Sequence, residues 1–295
     1  MALETTDASA AGAVTLAGDL RVYRLGFGAM RLTGSGIWGP PTDPDQARAV
    51  LRRAVELGVN FIDTADSYGP GVSEELIADA LHPYPGGLVI ATKGGLTRSG
   101  PGQWERDGRP EHLRRACEES MRRLRVERID LYQLHAVDPA VPLADSVSAL
   151  AELRDEGKVA HIGLSNVGLD ELERAREVVP VVSVQNRYSV ADRDSDPVVD
   201  RCERDGLAFI PWFPLAAGRI GGDGIAGDGL GRAAKRVSEA HDATAFQVAL
   251  AWLLARSPAM LTIPGTSSVD HLEENVAAAG LRLSQEELDT LSAAG

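Results

Sequence analysis

Apolar residues change their spacing at regular intervals along this chain. Short apolar runs alternate with longer stretches in which apolar residues return every three or four positions. Stretch 43–57 is of the second kind. Ala47, Val50, Leu51, Ala54 and Leu57 fall on one face of a helix, Asp43 stands at its N-cap, and Gly58 follows its last turn. The short runs predict strands at 25–28, 61–63, 88–93, 129–135, 159–165, 181–186, 207–213 and 260–264. The longer ones predict helices at 43–57, 73–81 (opened by Ser73), 110–124, 143–156, 169–178, 196–205, 232–241, 244–256 and 269–279, with another from Gln285. Ahead of them, 14–16 and 20–23 flank Gly18-Asp19 as a hairpin. The Ala-, Ser- and Thr-rich residues 1–12 are expected to be a disordered tail.

Strand followed by helix, repeated eight times, predicts a parallel sheet covered by helices. Eight units favour an α/β fold of the closed (β/α)8 TIM-barrel type, with a short N-terminal hairpin and a C-terminal helix. No Gly-x-Gly-x-x-Gly follows the first strand, so the fingerprint of an open dinucleotide-binding sheet is absent. No boundary divides 13–295, which reads as one domain. The glycine-rich run 218–231 reads as a mobile loop.

A barrel places its chemistry at the C-terminal ends of the strands. Here the second strand ends in Asp63 and leads to Tyr68. The third ends in Lys93, the fourth in His135, the fifth in Ser165-Asn166, the sixth in Gln185-Asn186 and the seventh in Trp212. Each alone has an ordinary use, as a loop cap, a rim aromatic, a snorkelling lysine or a core histidine. Repetition on one rim points to a site.

Charge and composition narrow the partners. The 295 residues carry a net charge of −13, which argues against nucleic acid or an anionic membrane surface as partner. Cys117 and Cys202 are far apart and outside any C-x-x-C pair, so neither a disulfide nor a thiolate zinc site is expected. The first residues lack a signal-peptide pattern, and no apolar run is long enough to span a bilayer. These features lead to the expectation of a cytoplasmic protein. A monomer or weak homo-oligomer is also expected, though none of these features decides it. Lysine occurs only as Lys93, Lys158 and Lys235, which singles out Lys93 on the rim.

Two chemistries compete for that rim. Asp63, Asp66, His135 and His161 are metal-ligand types, but they form neither His-x-His nor Glu-x-x-His, and His161 falls mid-strand. Proton delivery to a carbonyl fits better. Lys93 beside Tyr68 is expected to lower the phenol's pKa, Asp63 to hold the ammonium, and His135 to hydrogen-bond the substrate oxygen.

Several motifs in order make the chain resemble the aldo-keto reductases from Arg21 onward. They are Leu25-Gly26-Phe27-Gly28-Ala29-Met30, Asn60-Phe61-Ile62-Asp63-Thr64-Ala65 with Tyr68-Gly69, and Ala91-Thr92-Lys93. Others are Asp130-Leu131-Tyr132-Gln133-Leu134-His135, Gly157-Lys158-Val159 with His161-Ile162-Gly163-Leu164-Ser165-Asn166, Val184-Gln185-Asn186, and Ile263-Pro264-Gly265-Thr266 with Glu274-Asn275. The resemblance implies NADPH-dependent reduction of an aldehyde or ketone, with Asp63, Tyr68, Lys93 and His135 as catalytic tetrad and Tyr68 as proton donor. It implies that Ser165, Asn166 and Gln185 hold the nicotinamide carboxamide and that Trp212 stacks on the ring, where the family usually has Tyr. Met30, Asp63, Phe213, Leu215, Arg219, Gly265, Thr266, Ser267, His271, Glu274 and Asn275 would complete the dinucleotide site. Many members grip the 2′-phosphate with a Lys after Ile-Pro and an Arg farther on. Gly265 and His271 stand there in this chain, so NADH is not excluded.

Gly39-Pro40-Pro41, Pro264-Gly265-Thr266-Ser267-Ser268 and Phe213-Pro214-Leu215 look most like a bacterial branch that includes pyridoxal reductases. That makes an aromatic aldehyde such as pyridoxal a reasonable substrate. Trp38 and Trp104 would be the pocket's aromatic walls, beside Tyr68 and His135. Two alternatives stay open: the same site oxidising an alcohol or sugar, and a nucleotide-binding regulatory subunit with little turnover.

Overall fold

The computed structural model describes residues 7–214 and 229–295. A hairpin, β1 (Ala13–Leu16) and β2 (Leu20–Tyr23), precedes β3 (Phe27–Gly28), α1 (Pro44–Glu56), β4 (Phe61–Asp63), α2 (Val72–Leu81) and β5 (Val89–Gly94). A second hairpin, β6 (Leu96–Gly100) and β7 (Gln103–Arg106), leads to α3 (Pro110–Leu124), β8 (Ile129–Leu134), α4 (Leu143–Asp155) and β9 (Val159–Ser165). Next come α5 (Leu169–Arg176), β10 (Val181–Arg187), α6 (Asp196–Asp205) and β11 (Ala208–Trp212). The chain finishes with α7 (Gly229–Ala240), α8 (Ala245–Arg256), α9 (Val269–Ala277) and α10 (Gln285–Ala294).

Seven parallel strands run in the order β11-β10-β9-β8-β5-β4-β3. The eighth position is filled by 259–264, which pairs on both sides through single bridges, Phe209 with Met260 and Leu25 with Thr262. Leu261 N donates to Phe209 O on one side and Gly26 N to Thr262 O on the other, at 2.9 and 2.8 Å. The predicted strand at 260–264 is therefore a short irregular stave, and it closes the barrel.

Two apolar layers follow from the period-two alternation of each strand. Inward residues Phe61, Val89, Ala91, Leu131, Ala208 and Leu261 form the inner core, and Leu16 and Val22 of the first hairpin plug it from below. Outward residues Ile62, Ile90, Leu164 and Val184 meet the helices, whose buried faces repeat every three to four residues, as Ala47, Val50, Leu51 and Ala54 do in α1. Asp43 caps α1, accepting from Gln46 N at 2.9 Å. With its base plugged, the barrel is left open at the strands' C-terminal ends.

Two expectations need correction. Residues 8–11 are not part of a disordered tail: they form a 3-10 turn with Ala8 and Ala11 buried. Ala8 N donates to Leu57 O, and Ala10 O accepts from Arg282, so these small residues fill a socket between the end of α1 and the C-terminal segment. Ser73 does not cap α2. The cap is Gly71, at φ 79°, a left-handed conformation that suits glycine. Ser73 instead accepts from Thr64 Oγ1 and donates to Ala29 O. Among the described residues, no helix is long and apolar enough to cross a membrane.

Candidate active site

The alternation that fills the inner core continues upward into ions. In β4, Phe61 and Asp63 share the inner face; in β5, Val89, Ala91 and Lys93 do. Asp63 and Lys93 thus stand one layer above apolar side chains, 2% and 0% exposed. Lys93 Nζ donates to Asp63 Oδ1 and Oδ2 at 2.6 and 2.5 Å and to Thr64 O at 2.8 Å. It also donates to the Tyr68 hydroxyl, at 3.4 Å. Gln185, on the far side of the barrel, donates to the same carboxylate at 2.9 and 3.2 Å. Buried charge survives here because it is paired and hydrogen-bonded.

Burial is the largest influence on every titratable group of the cluster. It works against the Lys93 ammonium, but Asp63 and then Tyr68 more than restore it, and its pKa lies above the usual lysine value. Burial lifts Asp63 above the usual carboxylate value, against the pull of Lys93 and Gln185. Tyr68 is likewise raised by burial, with Lys93 pulling the other way. The sequence expectation of a lowered Tyr68 pKa is therefore corrected, because loss of water outweighs the ammonium. Burial, then Lys93, holds His135 well below the usual histidine value, so its ring is neutral at pH 7.

His135 lies edge-on to Tyr68, ring centroids 5.8 Å apart, at the exit of β8. Ser67 Oγ is 3.4 Å from its Nδ1. A hydroxyl donating to Nδ1 leaves the proton on Nε2, where it serves as a donor. Trp104 of β7 stands edge-on to both Tyr68 and His135, at 6.4 and 6.3 Å. Trp38 pairs through its backbone with Gly69, which fixes its loop beside Tyr68. The exits of β4, β5 and β8 thus bring the four proposed catalytic residues together, with both tryptophans around them.

A cavity of about 310 Å³ runs from Asp63, Tyr68 and Gln185 past Trp212 and Phe213 to Gly265, Thr266, His271, Glu274 and Asn275, with Met30 along its side. Ser165 and Asn166 are next to this wall rather than on it. Asn166 donates to His135 O and Ser165 Oγ, and its oxygen accepts from Trp212 Nε1 at 3.0 Å. Ser267 lines an adjoining cavity with Thr266 and Gly265. Leu215 and Arg219 lie outside the described residues. Burial and then Glu74 hold Asp66 well above the usual carboxylate range, with Arg123 pulling the other way. His161 pairs with Asp19 at the plugged end.

Sequence reading missed Ser67, Phe246 and Arg31. Phe246, at the start of α8, lines the main cavity. Arg31 lines both cavities, and among the described residues it has no hydrogen-bond or ion-pair partner. The β6–β7 hairpin was also missed, although Pro101-Gly102 between alternating residues is a turn signal.

The family model of the aldo/keto reductases matches residues 24–295. The chain belongs to the aldo/keto reductase family. With it, the chain is an NAD(P)H-dependent oxidoreductase. It is 52% identical over 285 residues to an uncharacterised oxidoreductase of Schizosaccharomyces pombe, covering 97% of this chain and 90% of the relative. It is 44% identical over 280 residues to pyridoxine 4-dehydrogenase of Escherichia coli, covering 93% and 95%. An aldo-keto reductase of Klebsiella pneumoniae solved in complex with NADPH superposes with a TM-score of 0.79 at 27% identity, covering 95% and 93%.

Proposed function

We propose that this aldo/keto reductase reduces an aldehyde or ketone to an alcohol with NADPH, taking its proton from Tyr68. The observation that carries the reading is the Lys93 ammonium bridging Asp63 and the Tyr68 hydroxyl at one end of a cavity whose lining continues to Thr266 and Asn275.

The donors along that cavity fit the group. The amide of Gln185 stands at the inner end with Asn166 just behind the wall, an indole is on the wall, and the hydroxyl of Thr266, with that of Ser267 in the adjoining cavity, precedes α9 at the outer end. A helix N-terminus favours phosphate, and Arg31 supplies the positive charge that Gly265 and His271 do not. Bound there, the nicotinamide supplies a hydride to the carbonyl carbon.

The chain's own residues do the rest. Neutral His135 donates from Nε2 to the substrate oxygen and sets its angle. As negative charge builds on that oxygen, Tyr68 gives up its proton, and Lys93 stabilises the phenolate left behind. Asp63 and Gln185 keep the ammonium from turning away. An aromatic aldehyde, pyridoxal among them, suits walls made of Tyr68, Trp104 and Trp38.

The name of the Escherichia coli relative supports a second reading, oxidation of an alcohol by the same site. It requires Tyr68 to act as phenolate, and the raised pKa of Tyr68 favours reduction at neutral pH. NADPH consumption, with NADH in parallel, on pyridoxal, short aldehydes, 4-nitrobenzaldehyde and sugar ketones tests the reading. Tyr68→Phe is expected to lower kcat by about 10²–10⁴ while leaving NADPH affinity intact. Unchanged turnover in that variant, or no NADPH consumption on any carbonyl, sinks it.

A further inference from the structure

Arg98, on the inner strand of the second hairpin, has all five of its N–H groups engaged by main-chain carbonyls. Nε donates to Gln103 O at 2.8 Å. Nη1 donates to Ile37 O and Ser67 O at 2.8 and 3.2 Å. Nη2 donates to Gly36 O and Gly100 O at 2.8 and 3.3 Å. Those carbonyls belong to three separate segments: the loop after β3 that carries Trp38, the turn that carries Tyr68, and the hairpin that carries Trp104. The guanidinium also lies over the Trp104 ring, 3.7 Å from its centroid, with Trp38 at 5.8 Å.

Three loops that would otherwise move independently are thus pinned to one planar cation. Its edges are spent on carbonyls and one face on indole. A guanidinium in that state has no N–H left to offer an anionic substrate, although its position beside Tyr68 is where an anion receptor would stand. Among the described residues no carboxylate is within ion-pair distance of it, so the backbone bonds and the indole face are what hold it.

We propose that Arg98 is a positioning residue that assembles the aromatic wall over the Tyr68 hydroxyl, and that the wall selects flat, uncharged carbonyl compounds over anionic ones. This rests on the carbonyl-reductase reading for its substrate class. Lysine cannot replace the fork, because one ammonium reaches at most three of the five carbonyls and stacks poorly on indole.

The test uses the full chain with Arg98→Lys and Arg98→Ala, their thermal midpoints and NADPH affinities measured alongside. For 4-nitrobenzaldehyde, Arg98→Lys is expected to raise KM about tenfold, the loss of one good aromatic contact, with kcat little changed. Propanal, too small to span the wall, should change less than about twofold in KM. The unmodified protein should prefer 4-nitrobenzaldehyde to 4-carboxybenzaldehyde. Equal effects on propanal and 4-nitrobenzaldehyde would overturn the proposal, as would a preference for 4-carboxybenzaldehyde that Arg98→Lys abolishes. Binding of 4-methoxybenzyl alcohol, followed by tryptophan fluorescence, needs no turnover. A tenfold weakening there in Arg98→Lys upholds the wall even if no carbonyl is reduced, and unchanged binding refutes it even if reduction is fast.

Discussion

Asp63→Asn removes one charge of a pair that has almost no contact with water. At 2.6 Å and an effective dielectric constant near 20, the Coulomb attraction between Lys93 and Asp63 is about 6 kcal/mol. The cost of burying both ions consumes much of that, so the pair's net worth is far smaller. Breaking it from one side is different, because Lys93 is left with neutral acceptors (the amide oxygen at position 63, Thr64 O and the Tyr68 hydroxyl) and no countercharge. Loss of one partner in such a pair costs about 3–5 kcal/mol, and at about 2–4 °C per kcal/mol the thermal midpoint should fall on the order of 10 °C. Asp63→Asn with Lys93→Met removes both charges and should recover most of the loss, giving a coupling energy of about 2 kcal/mol or more. Urea denaturation followed by circular dichroism, with m-values compared across the four proteins, measures the cycle. The double variant should have no turnover, which separates stability from chemistry. If Asp63→Asn unfolds within about 0.5 kcal/mol of the parent and the two substitutions add, the ion pair is not what holds this layer together.

Three further outcomes follow from the same geometry. The folded pKa of His135 lies below its unfolded value of about 6.5, so the unfolded chain binds more protons in that window. Stability should therefore fall as pH drops below about 6.5, by up to about 1.4 kcal/mol per pH unit from this group. His135→Gln should flatten that slope, read from urea curves between pH 7 and 5; an unchanged slope assigns it to other groups, His112 first among them. Because Tyr68 is raised rather than lowered, kcat/KM for reduction should be insensitive to its ionisation up to the ordinary phenol range near ~10, while oxidation rises with pH. A fall in reduction with a midpoint near neutrality, absent from Tyr68→Phe, would contradict this. Arg31→Gln should weaken NADPH by about tenfold and NADH hardly at all, with a shallower salt dependence for NADPH, by titration calorimetry; equal losses would move Arg31 from the 2′-phosphate to the pyrophosphate.

Strand phase was the most legible level of this protein. Phe61-Ile62-Asp63 and Val89 to Lys93 carry inward residues at every second position, so both the motif and the alternation place Asp63 and Lys93 on one inner face. The burial of Ala8 and Ala11 was not legible, because their socket is made by Leu57 and Arg282, distant in sequence. Nor was the direction of the Tyr68 shift. A motif names the neighbours of a phenol but not how much water they leave around it, and water decided the sign. Arg98 escaped notice for a related reason: its partners are carbonyls, which no side-chain pattern records.

On the proposed reading, Gln185 and the neighbouring Asn166 bear on where affinity for a dinucleotide would arise. Gln185 is already bound to Asp63, and Asn166 to His135 O, Ser165 Oγ and Trp212 Nε1. A carboxamide arriving there exchanges bonds with groups that are already satisfied, and a net hydrogen bond contributes only about 0.5–1.5 kcal/mol even when it is newly made. On that reading these contacts would choose which ring face meets the substrate more than they would hold the ligand. Trp212 takes part in that choice. The tyrosine usual at this place in the family has a hydroxyl, whereas the indole N–H here fixes the Asn166 oxygen, leaving its NH2 directed at His135 O and Ser165. On that reading the holding would fall to the Trp212 indole and to the outer end of the cavity. There Arg31 and Thr266 line the cavity and α9 begins just beyond them, a helix N-terminus of the kind that favours phosphate.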